Sequence, residues 1–310
     1  MTEARPRPPR SAIDGVLLLD KPAGLTSQTA VTRVKSLLNA AKAGHTGTLD
    51  PMATGLLPIA LGEATKFCGA LLDATKSYAA VVRLGQTTTT GDLEGEVTRT
   101  ASVRATQADV EAALQQFRGE IVQTPPMYSA LKRAGKPLYQ YAREGIEVER
   151  VPRRVTIDRL TLESFERGEL RVAVSCTKGT YIRVLAEDIG AALGCGACLA
   201  GLTRTRVGYL DLADAIALDR LAALPESERR TRLLPADALL AQLPRVDLDR
   251  ERAGRIMRGM AVEGTAPPGL VRIYAPGQAF LGVALADSAG RLQPRRLVAS
   301  KAANLEKSDV

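Results

Sequence analysis

A chain of 310 residues exceeds one compact core of common size, and its 45% hydrophobic and 25% charged residues are a globular composition, which excludes a fibrous or wholly disordered protein. No run of eighteen apolar residues is available to span a bilayer. Lys and Arg outnumber Asp and Glu by 42 to 34, and the resulting net charge of +8 points to a phosphate-bearing partner, nucleic acid before a membrane surface.

Residues 1–12, MTEARPRPPRSA, carry Arg and Pro without an apolar signal region, so they read as a disordered tail, and a cytoplasmic location is expected. Gly15–Asp20 is a short apolar run stopped by Lys21-Pro22-Ala23-Gly24, the pattern of a buried strand. A helix follows, capped by Thr26 or Ser27, with Val31, Val34, Leu37 and Leu38 at helical spacing. The loop Gly44–Pro51 is rich in glycine and polar groups and leads into a strand at Leu56–Leu61. Tyr78–Leu84 reads as a strand, Gln86–Gly95 as a polar turn region holding Asp92, and Thr106 with Asp109 as a capping box that opens a helix through Phe117.

Between Gln123 and Arg154 the composition changes. Tyr128, Tyr139 and Tyr141 alternate there with Lys132, Arg133, Lys136, Arg143, Arg150, Arg153 and Arg154. Such a segment suits a phosphate backbone and unstacked bases, although a solvated loop with packed tyrosines has the same composition. Leu170, Val172, Val174 and Cys176 alternate as a strand, and Lys178-Gly179-Thr180 turns into a helix from Tyr181 to Leu193. Arg183 stands in that helix's first turn, where the helix dipole disfavours a cation, so a negative group is expected beside it. From Leu210 to Leu243 the chain reads as helical pieces broken by prolines. Beyond a boundary near Arg245, Leu270–Tyr274, Phe280–Ala286 and Leu297–Val298 read as the strands of a small β-rich module.

With His45 as the sole histidine and no G-x-S-x-G, P-loop or G-x-G-x-x-G, a serine triad and a bound nucleotide cofactor have no support. Cys195 and Cys198 form a C-x-x-C, but Cys68 and Cys176 stand at unrelated spacing, so ordinary reduced cysteines are expected and no metal. Asp50, held before Pro51 in the Gly-rich loop, is the best candidate acid; an ordinary Asp-Pro turn is the competing reading.

The blocks GVLLLDKPAGLTS, AGHTGTLDPMATGLLPIALGEATKF, KSYAAVVRLGQTTTTGD, PPMYSALK, GKPLYQYAREGIEV and CTKGTYIRVLAEDIG, with GLVRI and PRRLV near the end, closely resemble the bacterial tRNA pseudouridine synthase B (TruB) family. They run in collinear order from Gly15 to Val298. The resemblance implies an α+β chain: a pseudouridine-synthase fold with a mixed, largely antiparallel central sheet, then a small β-rich PUA-like domain. The domains implied are a catalytic one at 13–209 with an RNA-binding insertion at about 123–154, a helical connector at 210–244, a PUA-like domain at 245–300 and a tail at 301–310.

The activity implied is isomerisation of uridine 55 in the tRNA T-loop to pseudouridine by base flipping, together with a tRNA-folding activity. By the same resemblance Asp50 is the catalytic aspartate, Tyr78 the active-site tyrosine and Arg183 its arginine partner, while His45, Tyr78, Tyr181 and Leu202 contact RNA or the target base. Asp92 and Lys21 resemble positions near the site, where hydrogen bonding of the loops is an equal reading. The T-arm of tRNA is the implied partner, with no cofactor, membrane or obligate protein partner, and a monomeric chain. The sequence departs from the family at Cys198, where a histidine is frequent, and near Thr203-Arg204, where an arginine pair is frequent. A non-catalytic RNA-binding protein and a guide-RNA-dependent synthase are the competing classes.

Overall fold

The computed structural model describes residues 10–299. Its main sheet has ten strands. Eight lie along one path, in the order Ile216–Ala217, Gly15–Lys21, Thr54–Leu61, Ala197–Val207, Lys76–Leu84, Glu169–Cys176, Arg153–Glu166 and Gly119–Gln123. Pairing is antiparallel except where Gly15–Lys21 meets Ile216–Ala217 and where Thr54–Leu61 meets Ala197–Val207. The strands Gly15–Lys21 and Thr54–Leu61 are almost wholly buried, which is why they read as continuous apolar runs; Glu169–Cys176 buries alternate residues and shows a period of two.

Helices cover this sheet where their apolar faces demand it. Thr26 caps the helix Ser27–Leu37 by accepting from the Thr29 amide at 3.0 Å, and Ala30, Val31 and Val34 face the core. Thr106 and Asp109 form the capping box of Gln107–Gln115. The helix Ile182–Ala192 buries Ile182, Leu185, Ala186 and Ile189 against the sheet. Gly190 makes this close approach possible: a Cβ there would lie 2.2 Å from the Ala197 amide nitrogen.

A second sheet of five strands runs Arg245–Asp247, Gly269–Ala275, Ala279–Ala286, Arg291–Leu297 and Val262–Glu263. Val246, Ile256, Val271, Ile273, Leu281 and Leu292 form its own core, and Tyr274, Phe280 and Val283 join Phe67, Leu71, Leu239 and Leu240 where it meets the main body.

Three expectations shift. The last strand is Arg291–Leu297 and not Leu297–Val298; its sequence, RLQPRRL, sets charged side chains outward around Pro294 and lacks an apolar run. The connector is less helical than its leucines suggest, since Leu210–Asp211 and Ile216–Ala217 are strands of the main sheet, leaving the short helices Leu218–Ala223 and Glu226–Thr231. Ser11, placed in the disordered tail, pairs with Ala40, its amide donating to Asn39 O at 2.8 Å. Residues 1–9 of that tail and the tail 301–310 lie outside the described residues.

Because backbone, and not a flexible side chain, faces Gly190, Gly190→Ala should lower the unfolding free energy by about 1–3 kcal/mol through overpacking. Urea denaturation measures this, and an unchanged midpoint would contradict the close packing.

Candidate active site

The loop bearing Asp50 is held from three sides. On one, Ser27 Oγ accepts from the Leu49 amide at 2.8 Å and donates to Leu49 O at 3.0 Å, tying the loop to a helix start. On the second, Pro51 O accepts from the Gly24 amide at 2.8 Å and from the ammonium of the fully buried Lys21 at 3.3 Å. On the third, the buried Arg204 guanidinium donates to Gly47 O and Thr48 O, each at 3.2 Å, and to Leu56 O at 2.8 Å. Gly55 is obligatory beside it: φ is +98°, and a Cβ would stand 2.4 Å from Arg204 O.

Arg183 is the second residue of the helix Ile182–Ala192. Its Nε lies 3.0 Å from Asp50 Oδ2 and 3.5 Å from Asp92 Oδ2, so the negative charge that its awkward helix position demands is supplied twice. The remaining guanidinium nitrogens donate to Thr90 O at 2.9 Å and Tyr128 O at 2.7 Å. Arg183 and Asp92 keep only 5% and 4% of their side-chain surface, whereas Asp50 keeps 39%. Asp92 is further engaged by the Thr90 hydroxyl at 2.5 Å and the Glu94 amide at 3.1 Å.

Two carboxylates therefore share one cation but differ in environment, Asp92 sealed and hydrogen-bonded, Asp50 open at one edge. Burial, with the Asp92 charge added, pushes the Asp50 carboxyl above its usual range despite the opposing pull of Arg183 and Lys21. The attraction of Arg183 favours the charged form of Asp50, and desolvation outweighs it. Burial also lowers the Lys21 ammonium to about 8, and its Nζ donates to Pro22 O, Leu25 O and Pro51 O.

Tyr78 and Leu202 border two of the cores packed on the main sheet. Tyr78 lies directly opposite Arg204 and Leu202 opposite Ala80, so the phenol, the leucine and the guanidinium share one face. Burial raises the Tyr78 phenol above its usual value, against the charge and hydrogen bond of Arg204. His45 ends a short strand, and its Nδ1 accepts from the Gly47 amide at 3.2 Å. Burial and the Arg204 charge lower its pKa, so it is a neutral ring at neutral pH, suited to filling space rather than to pairing with a phosphate.

Tyr181 begins the Arg183 helix, and the buried Gln123 amide clasps its backbone: the Tyr181 N–H donates to Oε1 at 3.0 Å and Nε2 donates to Tyr181 O at 3.3 Å. The Arg153 guanidinium lies 4.8 Å from the Tyr181 ring centre. In the basic segment, Lys136 sits over Tyr141 at 4.5 Å and Arg143 over Tyr139 at 5.5 Å, so these tyrosines are covered by cations and not sunk in the core.

Asp50, Tyr78, Arg183 and Leu202 thus converge from four separate segments. Arg204 and Gln123 were not anticipated as parts of this setting. An arginine two residues from Leu202 on the inward face of a central strand was the available signal, since a cation there is rare without a task. Gln123 carried no signal. Cys195 and Cys198 are buried free thiols, and among the described residues no group of three or more His, Cys, Asp or Glu is placed to hold a metal ion. A cavity of about 830 Å³ lies on the other side of Thr203, between the helices Ser27–Leu37 and Leu218–Ala223, and includes neither Asp50 nor Arg183.

Residues 35–182 match the family described as TruB family pseudouridylate synthase (N terminal domain), residues 183–241 the tRNA pseudouridylate synthase B C-terminal domain, and residues 244–298 pseudouridine synthase II TruB, C-terminal. A protein of Aromatoleum aromaticum named tRNA pseudouridine synthase B is 55% identical over 294 residues, covering 94% of this chain and 95% of that one. A Burkholderia mallei protein of the same name is 55% identical over 306 residues, covering 96% and 98%. Among solved structures, an H/ACA RNP bound to a substrate RNA containing 2'-deoxyuridine has a subunit 26% identical, covering 91% of this chain and 84% of that one with a TM-score of 0.69.

The raised Asp50 pKa has a sign that stability measurements read. The unfolded chain ionises this carboxyl first, so between the ordinary carboxylate value and the raised folded one the native state binds more protons, and stability falls as pH rises. Asp50→Asn removes the contribution. Its urea midpoint should decline less than that of the unsubstituted chain from acidic to neutral pH, and parallel declines would contradict the buried-carboxyl reading.

Proposed function

The chain belongs to the TruB family of tRNA pseudouridine synthases, and from that premise we propose that it isomerises uridine 55 of the tRNA T-loop to pseudouridine with Asp50 as the group that meets the substrate. It has the pseudouridine-synthase fold, with a mixed central sheet and a second sheet of PUA-like form at the C-terminal end. The observation that carries the residue assignment is the Arg183–Asp50 ion pair at 3.0 Å, in which Asp50 alone of the three charged groups keeps an exposed edge.

The reaction breaks the bond between the sugar C1' and uracil N1, turns the base, and joins C1' to C5, whose proton leaves while N1 gains one. Atoms and electrons are conserved, so no redox partner is required. The target base must first leave the folded hairpin, at a cost of a few kcal/mol. Stacking on Tyr78 offsets part of that cost, with Leu202 and Tyr181 walling the pocket and His45 occupying the space the base leaves. Arg183 takes up Asp50 Oδ2, leaving Oδ1 for the substrate. We assign removal of the C5 proton to the Tyr78 oxygen, which takes up that proton as its own phenol proton leaves to solvent, so the hydroxyl is regenerated.

We assign residues 13–209 to the catalytic domain, with 123–154 as its RNA-binding insertion, 210–244 to a connector and 245–300 to the PUA-like module. Sheet order supports the boundary at 245, since the strands from Arg245 onward form a sheet of their own, while the connector lends Leu210–Asp211 and Ile216–Ala217 to the main sheet. Among the described residues no helix is long and apolar enough to cross a membrane, and a tRNA substrate accords with a cytoplasmic location.

Purified chain, incubated with unmodified tRNA and EDTA, should place one new pseudouridine in the T-loop. Asp50→Asn should abolish that mark while RNA binding and any RNA-folding activity persist, and Tyr78→Phe should keep binding but lose turnover by about 10²-fold or more. Appreciable turnover by Asp50→Asn would overturn the assignment of Asp50. A mark outside the T-loop would overturn the substrate.

A further inference from the structure

Arg204 is 2% exposed and among the largest fully buried side chains of the protein. A buried cation costs several kcal/mol in lost hydration unless it is compensated, and buried cations ordinarily pair with a carboxylate. Arg204 has a different set of partners. Three main-chain carbonyls, Gly47 O, Thr48 O and Leu56 O, receive its N–H groups, and the phenol of Tyr78 is the acidic group that acts on it. Two of those carbonyls lie just before Asp50 and the third follows it, so the planar fork spans the loop from which Asp50 projects. Its strand position adds the other half: Arg204 and Tyr78 are directly opposed across an antiparallel pair, on one face.

We propose that Arg204 is a positioning residue for the isomerisation, fixing the separation between the Asp50 carboxylate and the Tyr78 ring between which the flipped uracil must fit. The inference rests on the function proposed above. Its physical basis is that reacting groups must hold their geometry to a fraction of an ångström, and displacement by about 1 Å costs about 10²-fold in rate. A planar guanidinium can bond several carbonyls at once in fixed directions, whereas lysine offers a point charge and glutamine two donors without charge. Burial lowers the Arg204 pKa, against the pull of the Tyr78 side chain, and the three carbonyl dipoles are what offset its lost hydration.

Arg204→Gln and Arg204→Lys test this on T-arm RNA. For Arg204→Gln the expected result is a kcat about 10- to 100-fold lower with a dissociation constant for the RNA within about twofold of the unsubstituted chain. Arg204→Lys should recover only part of the loss, because it restores the charge without the fork. Urea denaturation measures the folded fraction of each. A kcat that falls only in proportion to the folded fraction, or an effect confined to RNA affinity, would overturn the proposal and leave Arg204 a stabilising residue. Should Arg204→Gln fail to fold, Arg204→Lys carries the same test, with unchanged kcat contradicting it. The unsubstituted chain serves as the control: absence of pseudouridine there would overturn the proposed function itself.

Discussion

A single guanidinium, that of Arg183, joins the pieces from which the site is made. It stands on the helix Ile182–Ala192, pairs with Asp50 on the Gly-rich loop and with Asp92 in the turn region after the strand Lys76–Leu84, and donates to Thr90 O and to Tyr128 O at the start of the basic segment. Nearly buried, with each of its three nitrogens engaged, such a group cannot be moved without leaving carboxylates unpaired. The asymmetry of the two acids follows from the same arrangement. Asp92 absorbs part of the arginine's charge from inside the protein, and Asp50 meets it from an edge open to solvent.

Around this centre lie further cations stabilised in another way. Lys21, Lys76 and Arg204 are buried, and each donates to main-chain carbonyls at loop or strand ends. Burial lowers Lys21 and Lys76 to about 8, so they retain most of their charge at neutral pH and contribute positive potential beneath the site. For an RNA substrate this is useful at long range, where a chain of net charge +8 gathers phosphates, and at short range, where the loops must hold still while a base is extracted. In the 123–154 segment Lys136 and Arg143 add charge beside Tyr141 and Tyr139.

Much of this was legible in the chain itself. Continuous apolar runs marked the central strands, Thr106 and Asp109 marked a helix start, and the cation at Arg183, set against the dipole of its own helix, announced a buried anion. What stayed hidden depends on distant partners. Asp92 sits in an ordinary polar turn and was set near the site only by the family resemblance; its pairing with Arg183 at 3.5 Å comes from the fold. Gln123 has no local pattern, because its two hydrogen bonds go to a residue 58 positions away. The strand Arg291–Leu297 was missed because its pairing, not its polar sequence, makes it a strand. For Asp50 the sign of the pKa shift could not be read from its partner alone; it depends on how much water the surrounding fold removes.

The central claim is that Asp50 is a partly desolvated carboxylate held by Arg183. Carboxyl-carbon NMR of the chain with labelled aspartate, assigned by the spectrum of Asp50→Asn, follows that group through pH directly. The account predicts a midpoint above the ordinary aspartate range, moving further up in Arg183→Met, with the group ionised at the pH of turnover. A midpoint in the ordinary range that ignores the loss of Arg183 would contradict it.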